Sequence, residues 1–135
     1  MKLIRIGKLR WDVLAVCDAR GQCQVTDFLA DLEGTTYQIA AEQVLKLLRK
    51  QVPVSGPPKA EPLCKHLGDG LFEFRKQPKK KLRVVWFYGG GAVIVCTVAF
   101  TKAERTPRTQ IERARAQQKA YVEDRRDEKL ETIDR

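Results

Sequence analysis

Basic side chains concentrate between residues 70 and 107, in the stretch GLFEFRKQPKKKLRVVWFYGGGAVIVCTVAFTKAERTP. They are Arg75, Lys76, Lys79, Lys80, Lys81, Arg83, Lys102 and Arg105. Cations that converge on one surface bind phosphate, and a guanidinium group can hold a phosphoryl oxygen through two hydrogen bonds. Fixed positive charge can also stabilise the attack of a ribose 2′-hydroxyl on the adjacent phosphorus, without a metal ion. These residue types therefore predict a phosphate-binding surface with the means to cleave RNA.

Acid–base chemistry at such a surface needs a group that accepts a proton and one that donates it. Glu73 can act as the base, and Tyr88 or His66 can donate a proton. His66 is the one histidine of the chain and precedes a turn, where a surface role is more common. Two alternatives stay open: Arg75 can form a structural ion pair with Glu73, and the cations can line the solvent side of a half-exposed sheet.

Three strands are expected to carry these cations. Residues 71–75 alternate in character, and residues 82–88 and 92–101 are rich in β-branched and aromatic side chains. Residues 89–91 are three glycines, which give the backbone freedom that a hairpin turn needs. The pattern predicts an antiparallel meander with Trp86 and its aromatic neighbours in the core.

Helical and strand patterns precede the meander. Residues 11–17 alternate as a strand does, Thr26 can cap a short helix through Glu33, and Thr35 or Thr36 can start a second helix. Its apolar positions recur at helical spacing up to Val52 and should pack on the sheet. Residues 53–62, PVSGPPKAEP, read as an irregular connector because proline interrupts a helix.

The chain is expected to close with one more helix. Thr106 can cap it and Pro107 can occupy its first turn. The residues beyond Glu123, DRRDEKLETIDR, mix both charge signs and predict a frayed, solvated end. Length and pattern together predict one domain over residues 1–124 and a charged tail over residues 125–135.

Composition limits the function classes. The 135 residues carry a formal net charge of +9 and 43% hydrophobic residues, so a globular domain with a polyanionic or acidic partner is expected. Residues 1–10 contain no apolar signal region, which predicts a cytoplasmic protein whose cysteines are free thiols.

Two other sites are possible on composition alone. Residues 84–101 are uncharged and long enough for a membrane span, although three central glycines and many strand-forming residues favour a hairpin. A zinc site is conceivable from Cys17, Cys23, Cys64 and His66, but the cysteine spacings are not those of structural zinc sites. We therefore expect no cofactor and no membrane partner.

Four segments in order resemble one family of proteins. GLFEFRK (70–76), LRVVWFY (82–88) and VAFTKAERTPRTQIERA (98–114) are similar to segments of the RelE/HigB superfamily of toxins, in particular its phage-derived HigB-like branch. RWDVLAVCDARGQCQVTDFLADL (10–32) resembles the opening strand and first helix of that branch. The resemblance covers roughly residues 11–123 and implies an α+β, RelE-like fold: a small, mainly antiparallel sheet with two N-terminal helices packed on it and a C-terminal helix.

The resemblance also implies a function. Toxins of this group typically belong to type II toxin–antitoxin systems and cleave mRNA on the ribosome. By position, Arg83 is implied as the main transition-state stabiliser, followed by Lys102 and then Arg75, with Glu73 beside them. Lys76, Lys79, Lys80, Lys81 and Arg105 are implied as RNA-binding residues. The implied partners are mRNA on the ribosome and a cognate antitoxin, usually one with a helix-turn-helix domain.

The sequence also departs from the family pattern. Ala103 stands where the pattern has a second lysine, with Arg105 as the nearest replacement. This departure favours a rival inside the superfamily, namely inhibition of DNA gyrase by ParE-like members. A third possibility is a phage-type module that binds RNA or protein without catalysis.

Overall fold

A computed structural model of the chain describes residues 1–59, 63–75, 81–101 and 106–134. Within these ranges the strands are β1 (Lys2–Lys8), β2 (Asp12–Val16), β3 (Cys64–Gly68), β4 (Leu71–Phe74), β5 (Leu82–Tyr88), β6 (Val93–Thr101) and β7 (Glu131–Asp134). The helices are α1 (Gln24–Ala30), α2 (Gln38–Lys46), α3 (Val52–Ser55) and α4 (Arg108–Arg126), and a π-helical segment (Leu47–Gln51) joins α2 to α3.

The strands form a single mixed sheet in the order β3-β4-β5-β6-β2-β1-β7. β3 to β6 form antiparallel neighbours, which confirms the meander expected between residues 71 and 101. β1 and β2 are also antiparallel, whereas β2 pairs in parallel with β6 and β1 pairs in parallel with β7.

The expected fold class, a small and mainly antiparallel sheet under two N-terminal helices, is wrong. Strands dominate the described chain, its sheet has seven strands in mixed directions, and a β1–β2 hairpin precedes the first helix. The error has a physical cause. β1 is interrupted by charged side chains, and β7 has only four residues, so their patterns are weak. The strands that pair in parallel also lie far apart in sequence.

Alternation along the strands divides the core into two layers. Side chains such as Val13, Val84 and Trp86 pack with α1, α2, the π-helical segment and α3 on one face. Side chains such as Val85 and Phe87 pack with α4 on the other face. We call these the α2 face and the α4 face.

The second helical stretch continues further than its prolines predicted. It runs from Gln38 to Ser55, with Pro53 in the first turn of α3 and Gly56 at its end. A first-turn proline needs no N–H donor, so the wider π-helical turn can lead into Pro53 without losing a hydrogen bond there. None of the described helices combines the length and the apolarity that crossing a membrane requires.

The charged C-terminal residues are ordered rather than frayed, which corrects a second expectation. α4 continues to Arg126, and β7 then pairs with β1. The amino group of Met1 lies 2.5 Å from Asp124 Oδ2, and Glu131 N donates to the Met1 carbonyl over 3.0 Å. This charged segment therefore forms contacts with the N-terminal end of the chain.

Candidate functional site

Three of the candidate site residues lie together on the α4 face. Glu73 belongs to β4 and Arg83 to β5, and these strands are neighbours in the sheet. Arg75 follows β4 directly and lies two residues after Glu73, so both side chains leave the backbone on the same side. Antiparallel pairing thus brings the Glu-x-Arg segment beside the Leu-Arg-Val strand.

Glu73 is the centre of an ion-pair network. Its Oε1 accepts a hydrogen bond from Arg75 Nε over 3.0 Å and lies 3.2 Å from Arg83 Nε. Its Oε2 accepts a hydrogen bond from the hydroxyl of Thr106. We call Glu73, Arg75, Arg83 and Thr106 the Glu73 network.

Burial differs strongly within the Glu73 network. Glu73 is 0% exposed and Arg83 is 4% exposed, whereas the Arg75 side chain is 20% exposed. Burial lowers the pKa of Arg83, and the nearby Glu73 carboxylate opposes this shift. Arg83 Nη1 also donates to the Leu82 carbonyl over 3.0 Å, which fixes the orientation of the guanidinium group.

The described members of the Glu73 network carry more positive than negative charge. Among them, one carboxylate faces two guanidinium groups, so their formal charges sum to +1. Since Arg83 is buried, the more accessible Arg75 is the member that can meet an anion from solvent. The network can therefore present a fixed guanidinium group to a phosphate.

Thr106 is the member that sequence reasoning missed. It was expected to cap α4, but Pro107 holds the cap position and the Thr106 hydroxyl binds Glu73 instead. The hydrogen bond joins the start of α4 to the two strands. No local pattern in the sequence signals it, because Glu73 and Thr106 are 33 residues apart.

The Glu73 network lies within a region that matches a known protein family. Residues 28–119, more than half of the chain, match the family described as "Phage derived protein Gp49-like (DUF891)". The chain belongs to the Gp49-like family. That family is of the RelE/HigB toxin-like type. No curated protein matches the chain. The match runs from α1 into α4 and includes the Glu73 network.

Of the remaining basic candidates of this Gp49-like protein, Lys81 is the one that lies among the described residues. Lys81 is half-buried in the turn directly before β5, with a positive φ of 53°. The residues Lys76, Lys79, Lys80, Lys102 and Arg105, together with Ala103, lie outside the described residues, so their predicted roles stay predictions.

The two candidate proton donors lie away from the Glu73 network. His66 and Tyr88 both contact Phe72, with ring centroids 4.8 Å and 5.4 Å apart, and Phe72 packs against the core of the α2 face. The sheet therefore separates them from Glu73. Within the described part of the Gp49-like chain, no three His, Cys, Asp or Glu side chains are grouped closely enough to hold a metal ion.

Proposed function

We propose that this Gp49-like protein is the toxin of a type II toxin–antitoxin system, of the HigB-like branch, and that it cleaves mRNA on the ribosome. The observation that carries the proposal is the Glu73 network, in which two arginines share one buried carboxylate inside the family-matched region. A preorganised guanidinium group needs no reorganisation when charge develops on a phosphorane, and this makes it effective in the transition state.

The proposed roles follow from burial. Arg75, the most accessible guanidinium group of the network, contacts the scissile phosphate. Arg83 lies behind it and, with Glu73, holds its orientation and maintains the positive potential. Lys102 and the basic residues Lys76, Lys79, Lys80, Lys81 and Arg105 supply further contacts to RNA phosphates.

The chemistry requires no metal ion. The 2′-hydroxyl loses its proton to solvent water as its oxygen forms a bond to phosphorus. The bond from phosphorus to the 5′-oxygen breaks, and the leaving 5′-oxygen takes a proton from water, which leaves a cyclic phosphate and a 5′-hydroxyl. Positive charge from Arg75 stabilises the non-bridging oxygens during this step. A cognate antitoxin, of the helix-turn-helix type, neutralises the toxin by covering this surface.

Primer extension tests the proposal. Purified protein is incubated with a defined mRNA, with and without ribosomes engaged in translation. New 5′ ends are expected only with translating ribosomes, and the Arg75→Ala protein should produce them about 100-fold more slowly. Arg108→Ala is the matched control, because Arg108 is an exposed arginine at the start of α4 outside the network. Intact mRNA in every reaction, with protein shown to be folded, rejects the ribonuclease.

Inhibition of DNA gyrase is the second candidate function. Ala103 removes a lysine from the family pattern, and Arg83 is engaged in a buried ion pair. Both features reduce the positive charge that RNA can reach. DNA damage that depends on gyrase, together with intact transcripts, would establish this alternative.

A further inference from the structure

An open cavity of about 320 Å³ lies on the α2 face, near the β3 edge of the sheet. α1, the π-helical segment and α3 pack on β1, β2 and β6, so they leave the face of β3 and β4 less covered. The residues that line the cavity include His66, Phe72, Trp86 and Tyr88. We call it the aromatic cavity.

Contacts between rings hold the walls of the aromatic cavity in place. His66 lies over Phe72 with an angle of 31° between the ring planes, and Phe72 stacks on Trp86 with 4.7 Å between centroids and an angle of 21°. Tyr88 stands almost perpendicular to this row, at 80° to Phe72 and 79° to Trp86. The row and the Tyr88 ring therefore form an ordered corner before any ligand binds.

Trp86 contributes a hydrogen-bond donor that lacks a partner. Trp86 is 1% exposed, and its Nε1 finds no acceptor in the described part of the chain. Such a group is unfavourable, and nearly all buried polar groups of native proteins are paired. Because Trp86 lines the aromatic cavity, a ligand with a carbonyl oxygen or a ring nitrogen can supply the acceptor.

The charges around the aromatic cavity suit an anionic strand. Lys59, an exposed residue, contributes to its lining, and no carboxylate belongs to the described residues that line it. The Cys64 thiol also lines the cavity, and burial raises its pKa to about 11, so it stays neutral at pH 7. A phosphate next to the cavity therefore meets a cation and no anion from its lining.

The size of the aromatic cavity favours one flat ring over a larger ligand. Cavities that hold small organic ligands measure about 300–1,000 Å³, and this cavity lies at the lower end of that range. A nucleobase is flat, stacks on an aromatic side chain and carries acceptors on its edge. An aliphatic side chain of a peptide would supply neither the stacking face nor the acceptor for Trp86.

We propose that the aromatic cavity binds an unpaired base of a single-stranded nucleic acid, and that this strand is RNA rests on the proposed function. The base stacks on the ring of Tyr88, which is 39% exposed, and its edge faces Phe72 and Trp86. The adjacent phosphate meets Lys59. The site lies on the opposite face of the sheet from the Glu73 network, so it adds a second contact to RNA.

Two hexamers that differ only in their bases test the proposal. The probes are hexauridylate, which is unstructured, and a hexamer of the same backbone in which hydrogen replaces each base, titrated to millimolar concentration against isotopically labelled protein. Saturable shifts are expected with hexauridylate at the amides of His66 and Phe72 and at the indole N–H of Trp86, which a Trp11→Phe variant assigns. The abasic hexamer should bind at least about tenfold more weakly, since it cannot stack. Equal binding of the two hexamers, or no saturable shift with either, overturns the proposal.

Variants locate the binding. Tyr88→Leu should reduce the preference for hexauridylate at least about fivefold, because it removes a stacking face. Tyr37→Leu is the matched control, since Tyr37 is a half-buried tyrosine outside the lining of the cavity, and it should keep the preference. If Tyr88→Leu disturbs the fold, His66→Ala provides the second variant, because His66 is exposed. An unchanged preference in a folded Tyr88→Leu or His66→Ala protein overturns the assignment.

Two further ligands test the choice of an RNA strand. Affinity for uridine 5′-monophosphate as high as that for hexauridylate would mean that a free nucleotide is the ligand, and would overturn this choice. Tighter binding of the peptide N-acetyl-Glu-Trp-Glu-amide, with the same dependence on Tyr88, would overturn the choice of a nucleic acid.

The titration measures binding alone and is independent of the primer-extension experiment. Cleavage of mRNA by a protein that shows no base-dependent binding rejects the aromatic cavity and leaves the ribonuclease. Base-dependent binding by a protein that cleaves no mRNA supports the cavity and rejects the ribonuclease.

Discussion

At the scale of single residues, the sequence predicted that the charged side chains of the Glu73 network line a surface. In the structure Glu73 and Arg83 are buried, and Arg75 is partly exposed. The spacing Glu-x-Arg placed Glu73 and Arg75 on the same side of a strand, so their ion pair was foreseeable as an alternative. The contact with Arg83 was not foreseeable, because it depends on the register between β4 and β5. A strand pattern gives the face of a residue, but the register decides its partner.

Replacement of Glu73 by glutamine should strongly destabilise the fold. The change removes the carboxylate that compensates the buried Arg83, and loss of one partner of a buried ion pair costs about 3–5 kcal/mol. Urea denaturation measures the free energy of unfolding. Glu112→Gln, in the exposed pair with Arg108, should change it by less than about 1 kcal/mol. A Glu73→Gln protein as stable as the control would show that the network adds little to stability.

The cysteines give a prediction about alkaline pH. All four are buried and none is in a disulfide; burial raises the pKa of Cys64 from 9.0 to about 11 and raises that of Cys96 further. Between pH 9 and pH 11 the unfolded chain binds fewer protons than the folded chain. The free energy of unfolding should therefore fall as the pH rises through this window.

Thiol titration at pH 8 and denaturation at several pH values check this prediction. The folded protein should react slowly with Ellman's reagent, and the unfolded chain should expose four reactive thiols. A Cys64→Ala variant should show a smaller loss of stability between pH 9 and pH 11. A stability curve that does not change in that window contradicts the prediction.

At the scale of elements, the contacts that the sequence did not predict lie mostly at turns and helix ends. The three glycines correctly predicted a turn between β5 and β6. They did not reveal that α4 packs on this turn through Tyr121 and Arg125, since those contacts span more than 30 residues. Thr106 likewise matched a local capping pattern, but a distant carboxylate receives its hydroxyl. A local capping pattern does not predict the hydrogen-bond partner of a side chain when a residue distant in sequence can accept the hydrogen bond.

Tyr121→Phe should measure how firmly the end of α4 is attached to the turn. The change leaves the buried Gly89 carbonyl without its donor, which should lower the free energy of unfolding by about 1–3 kcal/mol. Tyr37→Phe is the control, because Tyr37 is only partly buried. Chemical denaturation compares the two variants. An equal effect of both changes would mean that the hydroxyl of Tyr121 has no special role.

At the scale of the whole molecule, the sheet joins the two ends of the described chain. Periodicity predicted the strands of the meander, whereas the parallel pairs β2–β6 and β1–β7 could not be predicted. Parallel partners share no turn between them, so only the full chain path brings them together. The family match over residues 28–119 leaves out β1, β2 and β7. These strands extend the sheet of the Gp49-like region on one side.

Deletion of residues 128–135 should therefore lower the stability of the entire sheet. The deletion removes β7, exposes the edge of β1, and removes Ile133 from its contact with the core. A loss of about 1–2 kcal/mol in a domain of this size corresponds to a decrease in Tm of about 4–7 °C. Circular dichroism during heating measures it, with Thr132→Ala, a change at an exposed β7 position, as the control. An unchanged Tm would mean that β7 is dispensable.

The pairing of β1 with β7 also has a consequence for biosynthesis. β1 emerges from the ribosome before the other described strands, and β7 emerges after them. The β1–β2 hairpin can form early, but the outer edge of β1 has no intramolecular partner until β7 has been translated. An unpaired strand edge is a template for pairing with another chain. Nascent chains on neighbouring ribosomes of one message can therefore pair through this edge from the emergence of β1 until β7 has been translated.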